Sequence, residues 1–504
     1  MADRLYIGID SGTQGTKAVV LSAKTGKIIT ESYQGYELIE NNQGGREQHP
    51  EIWIKACRTI LKDMLSNPDV KPSDIRAIGV SGQQHGMVPL DLNGNVIRPA
   101  KLWCDTQTTS QCRTITQRAG GEEAVLEKIG NHVAAGFTAS KILWMQENEP
   151  DNFARLATVL LPHDYINLWL TGEKFMEYGD ASGTAYFDVI NRRWSSDLIN
   201  AIDPTGQLEQ CLPLLKQSVE PIGTIRADLA TEFGLSKNVL VSSGGGDNMM
   251  AAIGTGNVTE GVVTASLGTS GTIYAYSDKP VVDKKGELAA FCSSSGGWLP
   301  LVCTMNVTVA TELVRNLFKL SLKEMNQMAE NVGPGAAGLL LLPYFNGERT
   351  PALPSATATL TGMTGLNMQA DMMCRASMEG ATFGLRYGLD VIRRNNIIPK
   401  EIRLTGGGAK SKLWRQIVAD IFNCEVVCLQ QEEAGATGAA LQALWCDENH
   451  SGNAVLIEAI TTDYVKLDEE SRRSPNASVV TKYNEIYARY LTCNDALVAT
   501  YNKN

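Results

Sequence analysis

Several short stretches of this 504-residue chain gather residue types that can do chemistry. Asp247 follows three glycines in Gly244-Gly-Gly246-Asp247-Asn248 and precedes an Ala/Met-rich run ending at Gly254. Glycines leave room for a substrate, and a carboxylate is favoured at a helix N-terminus. Such a group can take a proton from a hydroxyl; an ordinary N-cap aspartate is the alternative. Gln83-Gln84-His85 closes the strand-like run Ile75–Ser81 with three hydrogen-bonding side chains. These suit sugar or polyol hydroxyls, or a plain polar loop. Trp103 and Asp105 add an aromatic face and a carboxylate, a pairing that fits a sugar but is weak alone. Gly406-Gly407-Gly408-Ala-Lys-Ser411 is a strand–glycine–helix turn that could pass over an adenine or ribose, or simply turn tightly. Gln431–Ala440 reads as a helix start with close packing.

A repeat orders these stretches. Ser11-Gly12-Thr13-Gln-Gly15-Thr16 and Leu267-Gly268-Thr269-Ser-Gly271-Thr272 are each flanked by apolar strands, about half the chain apart. Two similar domains, each opening on a Gly/Thr hairpin, account for this. Glycines let the backbone approach a ligand and reach positive φ, and successive N–H groups with Thr hydroxyls form an anion-binding concavity. Chance and the glycine preference of tight hairpins are the bland alternative. No G-x-x-x-x-G-K-[ST] loop and no strand–G-x-G-x-x-G–helix unit is present, so any phosphate is bound by another loop design.

The elements that must hold these residues are mixed. Leu5–Ile9, Lys17–Leu21, Ile28–Tyr33, Ile75–Ser81, Val88–Leu92, Val239–Ser242 and Ile402–Leu404 read as strands. Pro50–Leu65, Thr138–Asn148, Asp164–Leu170, Met305–Phe318, Asp371–Arg394 and Lys412–Asn423 read as helices. The division is expected between Asp247 and Gly261, giving domains 1–250 and 251–504, with a helical Pro475–Asn504 packing back on the first. The composition is that of a soluble globular chain, 43% apolar and 20% charged. A formal charge of −10 disfavours nucleic acid and anionic membranes as partners. No signal peptide or membrane span is read, and eleven scattered cysteines without a C-x-x-C pair read as reduced thiols in the cytoplasm.

Taken together, Asp10-Ser-Gly-Thr-Gln-Gly-Thr16, Ser81-Gly-Gln-Gln-His-Gly86, Gly136–Asn148, Gly244-Gly-Gly-Asp-Asn248, Ser266-Leu-Gly-Thr-Ser-Gly-Thr272, Gly347-Glu-Arg-Thr-Pro351 and Gly406–Trp414 resemble the FGGY carbohydrate kinase family, from Ile7 to about Leu444. The run from Gly365 to Gly380 resembles a further family signature in a shorter form. The resemblance implies an α/β fold of two duplicated actin-like (ribonuclease H-like) ATPase domains around a central cleft. It implies ATP and Mg2+, with Asp247 as catalytic base and Asp10 near the phosphates and the metal. Gly12, Thr13, Gly268 and Thr269 would cradle phosphate, and Gly407, Gly408 and Ser411 would meet the nucleotide. Gln84, His85 and Asn248 would touch the sugar, with Trp103 and Asp105 beside it. Glycerol-specific members carry an Arg–Glu pair where this chain has Gln84-His85, so a neutral ketose is expected, D-xylulose ahead of D-ribulose, with fuculose, gluconate and glycerol as alternatives. The partners expected are the sugar and ATP, with a homodimer as the conceivable assembly. A sugar-free actin-like ATPase and a glycoside hydrolase built on Asp105 and Asp247 are the rival readings.

Overall fold

The computed structural model describes residues 3–501. They form two units. Unit 1 holds the chain up to Thr259, with Ser277–Leu299 and Glu433–Val465; unit 2 holds Glu260–Tyr276, Pro300–Glu432 and the chain from Lys466 onward.

The main sheet of unit 1 uses β1 (Leu5–Ser11), β2 (Gly15–Ser22), β3 (Ile28–Gly35), β4 (Ile75–Gly82), β5 (Pro221–Thr224) and β6 (Leu240–Ser242), ordered β3-β2-β1-β4-β6-β5. β1 runs antiparallel to β2 and parallel to β4. The sheet of unit 2 uses β7 (Val262–Leu267), β8 (Gly271–Ala275), β9 (Leu301–Thr304), β10 (Glu401–Thr405), β11 (Glu425–Leu429) and β12 (Leu467–Arg473), ordered β9-β8-β7-β10-β11-β12. Its pairings alternate in the same sense, antiparallel through β9, β8 and β7, parallel to β10 and β11, then antiparallel to β12. The two sheets therefore repeat one topology, and each Gly/Thr motif occupies its first hairpin. The copies differ by one residue: β1–β2 pairing closes at Ser11 and Thr16, whereas β7–β8 pairing closes at Leu267 and Gly271.

β1 and β4 are apolar on both faces because both are covered. One cover is the helix Ala434–His450, whose first turns are built from Ala, Gly and Thr. Gly8 and Gly79 are cross-strand partners. A Cβ on Gly8 would lie 1.9 Å from the Ala436 carbonyl oxygen, and one on Gly79 would lie 2.0 Å from that of Ala439. The same helix crosses Asp247–Gly254 through Gly438 and Gly254, where added Cβ atoms would meet backbone oxygens at 1.8 and 2.0 Å. Backbone against backbone at this spacing admits only glycine. The expected close-packed helix start at Gln431–Ala440 is thus found.

Two expectations about chain organisation change. The first crossing falls at Thr259, inside the expected stretch, but the chain does not divide once: Ser277–Leu299 and Glu433–Val465 return to unit 1. The physical reason is the cover needed by β1 and β4, which the Ala434 helix supplies. The C-terminal helix Ala477–Tyr501 belongs to unit 2, not to the first half. Tyr483 donates to Glu379 at 2.7 Å and accepts from Arg375 at 2.8 Å, while Tyr344 donates to Asn494 at 2.7 Å. Phe383 packs on Tyr487 and Tyr490. Between β4 and β6 unit 1 carries a long insertion with its own apolar core, from Met87 to Cys211. That insertion holds the helix Thr138–Asn148 and the short helix Tyr178–Ala181. Among the described residues no helix is long and apolar enough to cross a membrane.

Candidate active site

Asp247 is the first residue of its helix; Gly246 is the N-cap and makes no side-chain cap bond. The N-cap reading therefore fails. Its Oδ1 accepts from the Asn248 backbone N–H at 2.7 Å and from Asn248 Nδ2 at 2.8 Å. Asn248 Nδ2 also donates to Gln84 Oε1 at 2.7 Å, so Gln84, Asn248 and Asp247 form one connected group. Each preceding glycine has a reason. Gly244 has φ +72°, with Val80 oxygen 2.5 Å from where its Cβ would be. Cβ atoms on Gly245 and Gly246 would strike Ser294 and Gln84 respectively.

Burial pushes the Asp247 carboxyl up to about 7; the charges of Asp10 and Asp180 add to the rise, and the Asn248 bonds oppose it. Asp10, at the end of β1, is also raised by burial, against the pull of its hydrogen bond from Ser81 Oγ at 2.6 Å. Two half-buried carboxylates, both with raised proton affinity and one raising the other, suit a cation or a transferable proton. Among the described residues no group of three or more His, Cys, Asp or Glu side chains gathers as a metal cage. An oxygen ligand from Asp10 with the remainder from phosphate and water fits Mg2+, which keeps most of its water.

In the β1–β2 hairpin three successive carbonyls are each engaged by a side chain. Gly12 oxygen accepts from Tyr36 Oη at 2.6 Å, Thr13 oxygen from Gln48 Nε2 at 2.8 Å and Gln14 oxygen from Tyr33 Oη at 3.1 Å. Across a trans peptide the carbonyl and the following N–H point oppositely. The N–H groups of Thr13 and Gln14 thus each point away from the side chain bonded to the preceding carbonyl. In the β7–β8 hairpin Gly268 oxygen accepts from Thr308 N–H at 2.9 Å and Thr269 oxygen from Val307 N–H at 3.1 Å, at the start of the helix Thr308–Leu317. The Thr269 and Ser270 N–H groups are turned in the same manner. Neither Gly12 nor Gly268 adopts positive φ, contrary to the expectation of left-handed turns. Gly12 supplies space instead, the nearest atom to its Cβ position being 3.6 Å away, whereas a Cβ on Gly268 would lie 3.1 Å from the Ser270 carbonyl oxygen. Gly15 and Gly271 are packing glycines, against Tyr33 and against Leu385 with Val307. Gly406 and Gly408 lie against Leu267 within unit 2, and a Cβ on Gly407 would meet nothing within 4 Å.

His85 is buried, with φ +61°. Its ring lies between Phe137 and Phe291, with Nδ1 3.0 Å from Asp180 Oδ1. Three expected residues do other work. Asp105 is fully buried; its oxygens accept from Lys101 Nζ at 2.8 Å and from the Arg46 and Gln107 backbone N–H groups at 3.0 Å. A carboxylate so saturated is structural, which corrects its assignment to a sugar and removes the paired-carboxylate hydrolase. Ser411 is the N-cap of Lys412–Phe422, accepting from Trp414 N–H at 3.2 Å and donating to Asn326, so helix capping takes the hydroxyl expected to meet nucleotide. Trp103 is half-exposed and its Nε1 donates to Thr13 Oγ1 at 3.0 Å, so it braces the first hairpin. The buried acids Glu177, Asp164 and Asp180 and the buried His163 escaped sequence reasoning. His163 and Asp164 are neighbours in the chain and Glu177 and Asp180 stand three apart, but no motif marks them, and only the fold brings them beside His85.

Comparison with known proteins agrees with this duplicated architecture. Models of the N-terminal and C-terminal domains of the FGGY family of carbohydrate kinases match residues 5–254 and 263–446. The chain belongs to that family, whose members move a phosphoryl group from ATP to a sugar hydroxyl. It is 48% identical to a xylulose kinase of Haemophilus influenzae over 97% of this chain and 99% of the relative. It is 36% identical to a xylulose kinase of Bacillus subtilis over 97% and 96%. A crystal structure of a "xyloylose kinase" from Brucella ovis superposes with TM-score 0.91 at 30% identity, covering 99% of this chain and 100% of that one.

Proposed function

We propose that this chain transfers the γ-phosphoryl group of ATP to the terminal hydroxyl of D-xylulose, giving D-xylulose 5-phosphate and ADP. The observation that carries the reading is the half-buried Asp247 carboxylate, raised to about 7 and tied through Asn248 to Gln84. The choice of sugar follows the whole-length likeness to xylulose kinases.

In this reading Asp247 accepts the proton of the sugar hydroxyl as it attacks phosphorus. A carboxyl near neutrality is ionised often enough to act and basic enough to hold the proton. Phosphoryl transfer passes through a loose transition state, so the proton leaves late and a carboxylate suffices. Gln84, His85 and Asn248 bind sugar hydroxyls; none carries the fixed cation that a sugar acid would need. The N–H groups of Thr13 and Gln14, and separately those of Thr269 and Ser270, bind phosphate oxygens, and Gly407 leaves room for adenosine on a turn that Gly408 packs against Leu267. Mg2+, held by Asp10 and phosphate oxygens, would neutralise charge on the transferred group.

Coupled ADP release with D-xylulose, D-ribulose, fuculose, glycerol and gluconate at equal concentration tests the proposal. D-xylulose should give the highest kcat/KM. A higher value for gluconate or glycerol would overturn the ketose reading while leaving the family assignment intact.

A further inference from the structure

The motif Gly347-Glu-Arg-Thr-Pro351 folds into a loop closed on itself. Glu348 N–H donates to the Leu353 carbonyl at 2.8 Å, and Leu353 N–H returns a bond to the Glu348 carbonyl at 2.9 Å. Gly347 has φ +68°, and a Cβ there would strike the Pro354 carbonyl, so the turn into Glu348 needs glycine. The Glu348 side chain is buried and is met by N–H donors. Its Oε1 accepts from the Met305 N–H at 2.7 Å and the Arg349 N–H at 2.8 Å, and Oε2 from Asn306 Nδ2 at 3.2 Å. Burial pushes the carboxyl up, and these bonds oppose the rise. Asn306, equally buried, is locked to the same loop at both ends of its amide. Nδ2 also donates to the Gly347 carbonyl at 2.7 Å, and Oδ1 accepts from the Asn346 N–H at 3.1 Å. These bonds fix Met305 and Asn306, the two residues that follow β9.

The chain then enters the helix Thr308–Leu317 with no side-chain cap. The first N–H groups of a helix find no partner within it. Here Val307 N–H donates to the Thr269 carbonyl at 3.1 Å and Thr308 N–H to the Gly268 carbonyl at 2.9 Å, so the β7–β8 hairpin serves as the cap. Each bond sets the plane of one peptide, whose opposite edge carries the N–H of Thr269 or of Ser270. All of these residues lie within unit 2. One continuous set of contacts therefore runs from the Glu348 carboxylate, through Met305 and Asn306, to the two N–H groups of the hairpin.

We propose that Glu348 is a positioning residue for nucleotide phosphate: by holding Met305 and Asn306 it sets the start of the helix Thr308–Leu317, and through that start the peptide planes that aim the Thr269 and Ser270 N–H groups. The inference rests on the reading of this hairpin as a phosphate site. Its consequence is a division of effect, in which loss of the carboxylate weakens ATP and spares the sugar. Glu348→Gln isolates it. The amide oxygen can accept from Met305 and Arg349, but the NH2 would face Asn306 Nδ2, donor against donor.

Two measurements test it. In the ligand-free protein, hydrogen exchange read by mass spectrometry should find the Val307 and Thr308 amides protected in the wild type. They should exchange about 10-fold faster in Glu348→Gln, the size of one hydrogen bond. In kinetics, Glu348→Gln should raise ATP KM about 5–10-fold with sugar KM unchanged. In a Gly268→Val background the same substitution should change ATP KM less than about 2-fold, because the hairpin through which it acts is already displaced. In a Gly12→Val background the full factor should persist. An equal factor in the Gly268→Val background would make Glu348 merely structural and overturn the inference. Unprotected Val307 and Thr308 amides in the wild type would overturn it even if every Glu348 variant failed to fold. A Gly268→Val protein with unaltered ATP KM would overturn the phosphate reading of the hairpin, and the inference with it. The exchange measurement needs no sugar, so failure of the D-xylulose reading would show separately, in the substrate panel.

Discussion

Asp247 is poorly placed for stability and well placed for catalysis. Its ordinary value of 3.8 rises to about 7 in the folded chain, so the folded state prefers the protonated form. A raised carboxyl contributes stability that is fully present below about 3.8 and lost as pH climbs through about 7. Asp247→Asn has no such loss. It should unfold at a higher temperature than the wild type at pH 8, with the gain shrinking at pH 5, by scanning calorimetry of the ligand-free protein. The same substitution should lower kcat at least ~10²-fold with little change in ATP KM. Wild-type kcat should fall as pH drops below about 7, where the base is protonated. Near-normal turnover in Asp247→Asn would remove it from the role. This residue was legible because a carboxylate behind three glycines is unusual. Asp105 misled because its type fits a sugar, whereas its partner Lys101 makes it a buried ion pair.

The two Gly/Thr hairpins show how one motif divides its labour. Gly12 and Gly268 carry bonded carbonyls that turn the following N–H groups away, and Gly15 and Gly271 serve packing. Gly12→Val and Gly268→Val should each raise ATP KM, the first with little loss of thermal stability and the second with a larger loss, because its Cβ would stand 3.1 Å from the Ser270 carbonyl oxygen. Gly271→Ala should destabilise by about 1–3 kcal/mol, because Leu385 and Val307 would stand 2.7 Å from the new Cβ. If one valine variant leaves ATP KM untouched, that hairpin is architectural. The repeat was legible because strand–turn–strand has a fixed period and glycine at its turn. Its one-residue difference in pairing was not, since ladder register depends on what packs against the strands. Long periodic helices such as Ala370–Arg394 were read to within a residue or two; the destination of Ala477–Tyr501 was not, because an amphipathic face states that it needs a partner without naming one.

At the scale of the whole molecule, each unit is assembled from separated stretches of chain. The C-terminal helix closes unit 2 over the buried Arg375–Glu379 pair, so ending the chain after residue 475 should strip Tyr483 from that pair and Tyr490 from Tyr344. Calorimetry should then show unit 2 melting first, as a transition separate from that of unit 1. One transition at the wild-type temperature would refute that. The helix Ala434–His450 has a consequence for biogenesis. Gly8 and Gly79 form a bare groove fitted to its backbone, yet more than 400 residues separate β1 from it. At about 5–20 residues per second, a ribosome takes roughly 20–90 s to make that stretch. For all that time the nascent sheet lacks the helix that packs on Gly8 and Gly79. Unit 1 therefore cannot mature from its beginning as synthesis proceeds; it waits, as a holdase client would, for a helix translated long after its strands.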